Sequence, residues 1–338
     1  MFKLSHCKAI LDRVSHGLMG LSLLATLLGC PVVAYSQSDP LIDLIRQLAE
    51  ENFDSVNIGA GYAAMVDFAV SRDISSATFY PDPTEGVLDP TLKHSTLPFR
   101  HVFSPDAPGA RPFLQGLFAY QKLASGFDTL PGEYIETEWT TYGASLSGGF
   151  EIPLGENLVV LPVISVGYGR LENRASFYGP ISESLLQPAL SGEIFNWDSN
   201  SVTYGASIGM DYRRKLSRFD IEVLAGLTHN FIESINAPNR FTEFQGQATI
   251  FDLEINTVHP TNWKIAGSPL AVVGLFGNTE FFGPQRDALG FAGFFEAGLG
   301  LQLDISTRGH KVKSLRVGAK AILGPDVNGW GLILGYGI

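Results

Sequence analysis

The sequence predicts an all-β protein, a transmembrane antiparallel β-barrel of about 12 strands with a short N-terminal helix. Three observations lead to this fold class. Apolar residues alternate with small or polar ones over many segments of about ten residues. After Ser36 no apolar run is long enough to cross a bilayer as a helix, so a membrane-spanning chain would have to form a closed barrel. Glycine supplies 37 of the 338 residues, above its usual share of about 7%, which disfavours long helices.

The alternation is cleanest in residues 142–152. One face of this predicted strand includes Leu146 and Phe150, and the other includes Ser145 and Glu151. Successive side chains of a strand point to opposite faces, so one face suits lipid and the other suits water. The same division recurs in residues 56–70, 158–169, 202–213, 219–228, 291–304 and 330–338.

The predicted barrel has an even number of strands, which places both chain termini at the same end. Strands are predicted at 55–70, 97–104, 111–123, 138–152, 157–171, 201–213, 218–231, 241–255, 263–277, 290–305, 313–323 and 329–338. Short turns are predicted on the periplasmic side, at 105–110, 153–156, 214–217, 256–262 and 306–312. Longer links are predicted outside, at 71–96, 172–200 and 278–289.

A soluble β-sandwich or lipocalin-like barrel is the alternative fold, because its strands also alternate. In that fold the apolar face would point inward and the polar face would meet solvent. A solvent-exposed face normally carries more Lys and Glu than residues 143–149 provide. The pattern therefore favours a barrel with its apolar face outward.

The N-terminus has the three parts of a secretory signal. Basic residues in the first 16 positions precede an apolar run at 17–28, and small residues follow before Ser36. We expect residues 1–36 to be a signal peptide that is cleaved between Ser36 and Gln37. Two alternatives remain open, namely acylation of Cys30 as in a lipoprotein, and retention of the apolar run as an anchor.

Composition limits the possible partners and cofactors. Both cysteines, Cys7 and Cys30, lie in the predicted leader, so the mature chain would have no disulfide and no thiolate metal site. The formal charge of −11 disfavours nucleic acid as a partner. We predict no cofactor and no metal.

Residues 39–53 form the strongest helical pattern. Asp39 can cap the helix, Pro40 suits its first turn, and Leu41, Ile45 and Leu48 share one face. We assign residues 37–54 to a short helix, which either plugs the lumen or lies against the barrel rim as a periplasmic stub. The barrel itself is assigned to residues 55–338.

Charges of both signs are predicted on the inward face, where they are tolerable in water or in ion pairs. The lumen-facing candidates are Asp67, Glu151, Arg170, Asp211, Arg213, Glu222, Glu296, Asp304, Arg316 and Lys320. We expect most of them to form a solvated or ion-paired wall.

An exported chain with a short helix, a twelve-strand pattern and the C-terminal segment 330–338 resembles an autotransporter β-domain. Only about 18 residues separate Ser36 from the first predicted strand, so the resemblance is to the solitary outer-membrane autotransporter-like barrels, which lack a passenger. Insertion signals of such barrels usually end in Phe; here the last residue is Ile338, and Tyr336 supplies the aromatic ring.

This resemblance implies an outer-membrane location in a Gram-negative-type cell. It also implies contact with outer-membrane lipid and insertion by the barrel assembly machinery. The expected role is that of a pore, a surface structural element or a binding protein, with an unknown extracellular ligand. A small-solute, porin-like channel is the alternative.

Little in the sequence indicates an enzymatic function, and we predict that the chain is not an enzyme. A lipid hydrolase would need a Ser two residues after a lipid-facing His, whereas Phe231 follows His229 and Phe103 follows His101. A protease of the omptin type would need acidic residues and a His at the outer rim, and one predicted loop contains such residues. These are Asp82, Glu85, Asp89 and His94, which we interpret as solvated loop charges. The glycines at 59–64 mimic a dinucleotide fingerprint but lie in a strand pattern.

Overall fold

The computed structural model describes residues 40–53, 74–83, 87–105, 109–239, 242–306 and 312–337. Within these residues the chain forms a closed barrel of twelve antiparallel strands, each paired with its neighbours in sequence. The first strand closes the barrel by pairing with the last, with Ile74 opposite Leu334 and Thr78 opposite Trp330. The predicted fold class is therefore confirmed.

The strands differ widely in length. They are β1 Ile74–Pro81, β2 Val87–Val102, β3 Arg111–Leu130, β4 Glu133–Pro153, β5 Leu158–Tyr178, β6 Trp197–Lys215, β7 Asp220–Ile235, β8 Gln245–Ile265, β9 Ser268–Phe282, β10 Gly293–Asp304, β11 Ser314–Leu323 and β12 Val327–Gly337. The helices are α1 Pro40–Phe53, α2 Gln187–Leu190, which continues a π-helical turn at Ser182–Leu186, and α3 Pro284–Leu289. No helix in the described part of the chain is long and apolar enough to cross a membrane.

The two ends of the barrel are distinct. At the end that we call the cap end, β1 connects to β2, β3 to β4, β5 to β6, β7 to β8, β9 to β10 and β11 to β12. The opposite end, which we call the terminal end, contains the end of β12 and the remaining connections. The longest connection, residues 179–196, is at the cap end. The connection from β3 to β4, also at the cap end, is a turn at residues 131–132, so connection length alone does not separate the two ends.

Two predicted connections are wrong. The predicted long link at 71–96 contains β1 and the first half of β2. The sequence alternation of β1 did not indicate a membrane strand. Ser76 and Thr78 point outward while Ala77 and Phe79 point inward, which is the reverse of the usual polarity. The predicted strand at 55–70 lies outside the described residues.

The predicted turn at 256–262 is also wrong, because β8 continues to Ile265. Pro260 lies within this predicted turn, and proline disfavours a strand because it cannot donate a hydrogen bond to the ladder. The register between β8 and β9 shifts after Pro260 and resumes at Lys264, which accommodates the proline. The chain turns instead at Ala266 and Gly267, both with positive φ.

The outer face carries an apolar band. On β5 it runs from Leu158 to Tyr168 and includes Ile164, whose exposed fraction is 72%. Ten residue steps at about 3.3 Å each give about 33 Å along the strand, or about 25 Å across a bilayer for a strand tilted by about 40°. This height matches the hydrocarbon-facing band of a membrane barrel.

Candidate functional site: the capped lumen

The interior of the cap end is filled by one cluster of buried apolar side chains. Each of the twelve strands contributes at least one member. The strand members are Ala77, Phe79, Leu92, Leu123, Phe127, Ile135, Trp139, Leu171, Phe177, Trp197, Ile232, Ala248, Ile250, Phe281, Phe294, Ile322 and Val327. The connections add Leu186, Ala189, Leu190, Ile194, Phe195, Phe244, Leu289 and Phe291, and α1 adds Ile45. Side chains from the whole circumference therefore meet inside this end; we call them the seal.

Residues 179–196, which we call the cap, hold the seal together. The indole rings of Trp139 and Trp197 meet edge to face with centroids 5.5 Å apart. The Trp197 indole nitrogen donates a hydrogen bond of 2.7 Å to the carbonyl of Ile194. Phe195 packs edge-on to Phe177 at 6.0 Å. Because both polar and apolar contacts anchor the cap to the strand walls, it is an integral part of the barrel interior.

Glu133, the first residue of β4, fastens the start of the cap. Its carboxylate accepts hydrogen bonds from the backbone N–H groups of Ile181 at 3.1 Å and Ser182 at 2.7 Å. A Cβ at Gly179, which has φ +106°, would clash with this carboxylate. Burial raises the pKa of Glu133, but the hydrogen bonds from Ser182 and Ile181 outweigh it and lower the pKa overall. The ionised form is therefore the one that holds the cap.

Glu133→Gln is expected to loosen the cap. An amide cannot replace a carboxylate that accepts two N–H groups, so limited proteolysis within residues 179–196 should become roughly tenfold faster, the factor that one charge-assisted hydrogen bond is worth. Because the folded-state pKa lies below the unfolded one, the stabilisation is present above the ordinary Glu pKa and is lost as the pH falls through the folded value. Wild-type cleavage should therefore accelerate in acid, whereas the variant should not respond. Equal cleavage of both proteins at neutral pH would contradict this role.

Helix α1 packs against the cap. Ile45 is 2% exposed and belongs to the seal, while Leu41 and Ile42 pack at its edge. The Arg46 guanidinium donates a 3.5 Å hydrogen bond to the carbonyl of Pro188 in α2. The predicted helix is confirmed, and it lies at the cap end rather than against the terminal end.

The lumen below the seal has a charged wall. Glu151 binds two arginines, Arg100 at 2.8 Å and Arg111 at 2.9 Å. The guanidinium of Arg100 also lies 3.7 Å from the ring centre of Phe113. A cavity of about 460 Å³ at this level shares Arg100 and Gln115 with a second cavity of about 270 Å³ closer to the seal. The polar part of the lumen therefore lies on the terminal side of the seal.

Other inward charges are also paired. Arg213 binds Glu222 at 2.7 Å and Asp211 at 3.1 Å. The ammonium of Lys320 lies 2.7 Å from Glu296. Arg316 donates two hydrogen bonds to the side-chain oxygen of Gln302, at 3.0 and 3.2 Å.

Most of the lumen-facing candidates in the described residues alternate with outward side chains as expected. Glu151, Asp211, Arg213, Glu222, Glu296, Arg316 and Lys320 lie on inward-facing positions of their strands. Asp304 is exposed at the end of β10 and accepts a hydrogen bond from the N–H of Ser306. Asp67 lies outside the described residues, as do Cys30, Ser36 and Gln37.

Arg170 requires a correction. It shares the outward face of β5 with Tyr168 and Val166, because all three have the same parity along the strand. Its guanidinium binds Glu172 at 2.8 Å and Asp198 at 3.1 Å on that outer face. The prediction that it faces the lumen is wrong.

The inward charges that sequence reasoning missed include Arg100, Arg111, Asp252 and Glu254. Arg100, Asp252 and Glu254 line the cavity nearer the seal, and Arg111 lines the larger one. The available signal was parity, since Arg100 alternates with the exposed Phe99.

Of the residues weighed for an enzymatic role, Glu85 lies outside the described residues, and the described ones are not grouped into one site. His229 lies on the outer face, and its Nδ1 is 2.7 Å from the hydroxyl of Thr249. His94 is buried inside the barrel at 4% exposure, whereas Asp89 is exposed on the same strand. Within the described residues, no three His, Cys, Asp or Glu side chains are grouped so as to hold a metal ion.

A family model described as the solitary outer membrane autotransporter beta-barrel domain matches residues 88–337. This match covers most of the chain and nearly all of the barrel. The chain belongs to the solitary outer-membrane autotransporter β-barrel domain family. The outer membrane is therefore the location of this autotransporter-like barrel.

Solved structures of similar fold include autotransporter domains. The transport unit of the autotransporter AIDA-I from Escherichia coli is 10% identical, with a TM-score of 0.50, covering 89% of this chain and 100% of that one. The β-domain of the Bordetella autotransporter BrkA is 16% identical, with a TM-score of 0.47, covering 79% and 98%. The NalP translocator domain from Neisseria meningitidis is 10% identical, with a TM-score of 0.45, covering 78% and 86%. No curated protein matches the autotransporter-like barrel.

Proposed function

We propose that this chain is a closed, non-enzymatic outer-membrane barrel that presents its cap end at the cell surface as a structural or binding platform. The main support for this proposal is the seal, because every strand contributes apolar side chains to it and the cap packs into the same cluster. A water-filled channel needs a continuous polar path through the lumen, and the apolar seal interrupts that path.

The orientation follows from the connections and the termini. Outer-membrane barrels place their longer connections outside the cell and both chain termini in the periplasm. Residues 179–196, the longest connection, are at the cap end, and β12 finishes at the opposite end. We therefore infer that the cap faces the exterior.

The proposal also covers the leader, the helix and the partners of the barrel. We propose that residues 1–36 direct export and are cleaved before Gln37, with acylation at Cys30 as the competing process. Helix α1 acts as part of the plug, since Ile45 enters the seal. The proposed partners are outer-membrane lipid and the barrel assembly machinery, and the charge of −11 disfavours nucleic acid as a partner.

The small-solute channel is the competing function, and single-channel recording separates the two. The intact protein, inserted into a planar bilayer, is expected to show no steady conductance. Replacing residues 181–195 by a short Gly-Ser linker removes the cap part of the seal and should produce frequent openings. The control is the same replacement at residues 154–157, at the terminal end, which should stay silent.

Folding of every sample is checked by a heat-modifiability gel. Steady ohmic steps from the intact, folded protein would refute closure and favour the channel. Turnover of labelled phospholipid that His229→Ala abolishes would instead establish a lipid hydrolase.

A further inference from the structure

The apolar band ends at the cap end in a belt of aromatic and then basic side chains. On β3 the outward residues run from Phe118 through Tyr120 to Lys122, and on β5 from Val166 through Tyr168 to Arg170. The rings of Tyr120 and Tyr142 are 5.5 Å apart across β3 and β4. Tyrosine is enriched where hydrocarbon meets headgroups, so these basic residues lie at headgroup level.

The basic residues are confined to one side of the barrel. Outward-facing cations near the cap end lie on neighbouring strands, namely Lys93 on β2, Lys122 on β3, and Arg170 and Arg174 on β5. Among the described residues, the outward faces of β6–β12 and β1 carry no Lys or Arg in their cap-end halves. Carboxylates share these strand halves, since Glu138 of β4 and Glu172 of β5 also face outward there.

Lys93 is the cation of this patch without an ion pair in the described structure, and Lys122 lies beside it. Arg170 and Arg174 are both bound to Asp198, at 3.1 and 2.6 Å. Lys122 binds Glu138 at 2.6 Å. Lys93 is exposed and forms no ion pair in the described structure. Two lysines and one carboxylate leave a net positive charge there.

The two lysines also face each other directly. Lys93 is the register partner of Lys122 on the adjacent strand. Like charges opposite each other across a strand pair repel. Glu138 offsets the charge of Lys122, and a further anion between the two ammonium groups would offset that of Lys93. On their other sides, Lys93 is the register partner of Thr78 and Lys122 that of Thr140, so hydroxyl groups flank the two lysines.

We propose that Lys93 and Lys122 bind a phosphate group of a phosphorylated glycolipid of the outer leaflet, of the lipid A type. Lysine binds phosphate as a point charge, and the hydroxyl of Thr78 offers a further donor. The acyl chains of the lipid would lie on Leu97 and Phe118, which are register partners four residues closer to the terminal end and are 48% and 54% exposed. The inference rests on the proposed orientation, because only the outer leaflet holds such a glycolipid.

The test is native mass spectrometry of the intact folded protein, released from vesicles of neutral phospholipid that contain a small fraction of either bis-phosphorylated lipid A or phosphatidylglycerol. The wild type should retain lipid A. The double variant Lys93→Gln, Lys122→Gln should retain it about thirtyfold less, or about fivefold less for each lysine. The matched control, Lys215→Gln with Lys264→Gln, makes the same charge change at the terminal end and should bind like the wild type.

Three outcomes would overturn the proposal: equal retention of lipid A by the double variant, equal retention of phosphatidylglycerol by the wild type, or loss of binding in the terminal-end control. The orientation is tested separately by labelling the variant Glu183→Cys with an impermeant reagent on intact cells, with Glu156→Cys as the control at the terminal end. Labelling of Glu183→Cys together with unchanged lipid A retention by the double variant refutes the lipid site and leaves the proposed function standing. No labelling of Glu183→Cys while Glu156→Cys reacts refutes the orientation itself.

Discussion

Glu151→Gln is expected to lower the free energy of unfolding by about 3 kcal/mol. Its carboxylate is the common partner of Arg100 and Arg111, and its side chain is only 18% exposed. Removing one member of a largely buried ion pair leaves the partner charge uncompensated, which costs about 3–5 kcal/mol, and partial exposure moves the value to the lower end. The amide oxygen can still accept a hydrogen bond but no longer neutralises two guanidinium groups.

Urea unfolding of the detergent-solubilised barrel measures this change, with the midpoint and slope compared at fixed detergent. Glu156→Gln is the matched control, since Glu156 lines the same cavity and is exposed without an ion pair in the described structure. It should change the free energy by less than about 0.5 kcal/mol. A Glu151→Gln effect as small as that of the control would mean that water already screens both arginines.

Ile164→Lys is expected to lower the stability of the membrane-inserted barrel by about 2–4 kcal/mol. Ile164 lies at the middle of the apolar band and is 72% exposed, so the ammonium would meet hydrocarbon without a partner. The cost falls to about 0–1 kcal/mol near the interfaces, where a lysine can extend to the headgroups.

Leu158→Lys supplies the control, because Leu158 begins the same band at the terminal end of β5. Both variants are measured by reversible unfolding in lipid vesicles, and the position at mid-band should be the more costly. In a soluble barrel, Ile164→Lys would replace an exposed apolar residue with a charge at little cost. Equal stabilities for the two variants would therefore contradict burial of this face in lipid.

Periodicity alone predicted a barrel of about twelve strands and the polarity of its wall, although one predicted strand, at 55–70, lies outside the described residues. Where one face meets lipid, as at Leu146 and Phe150, each residue is either clearly apolar or clearly not, and the strand is easily recognised. Recognition failed where strands leave the apolar band. Ser76 and Thr78 of β1 are outward but polar, so β1 was predicted as part of a link.

What the sequence by itself determined is local: a period of two, an even strand count, a helix ending near Phe53 and the parity that places Glu151 and Lys320 inward. Only the tertiary structure decided that inward apolar residues from all twelve strands converge at one end, and that Glu133 fastens a cap 49 residues away along the chain. The physical reason is that alternation reports which face a side chain takes, while the height at which it meets its partners depends on the register and closure of the whole barrel.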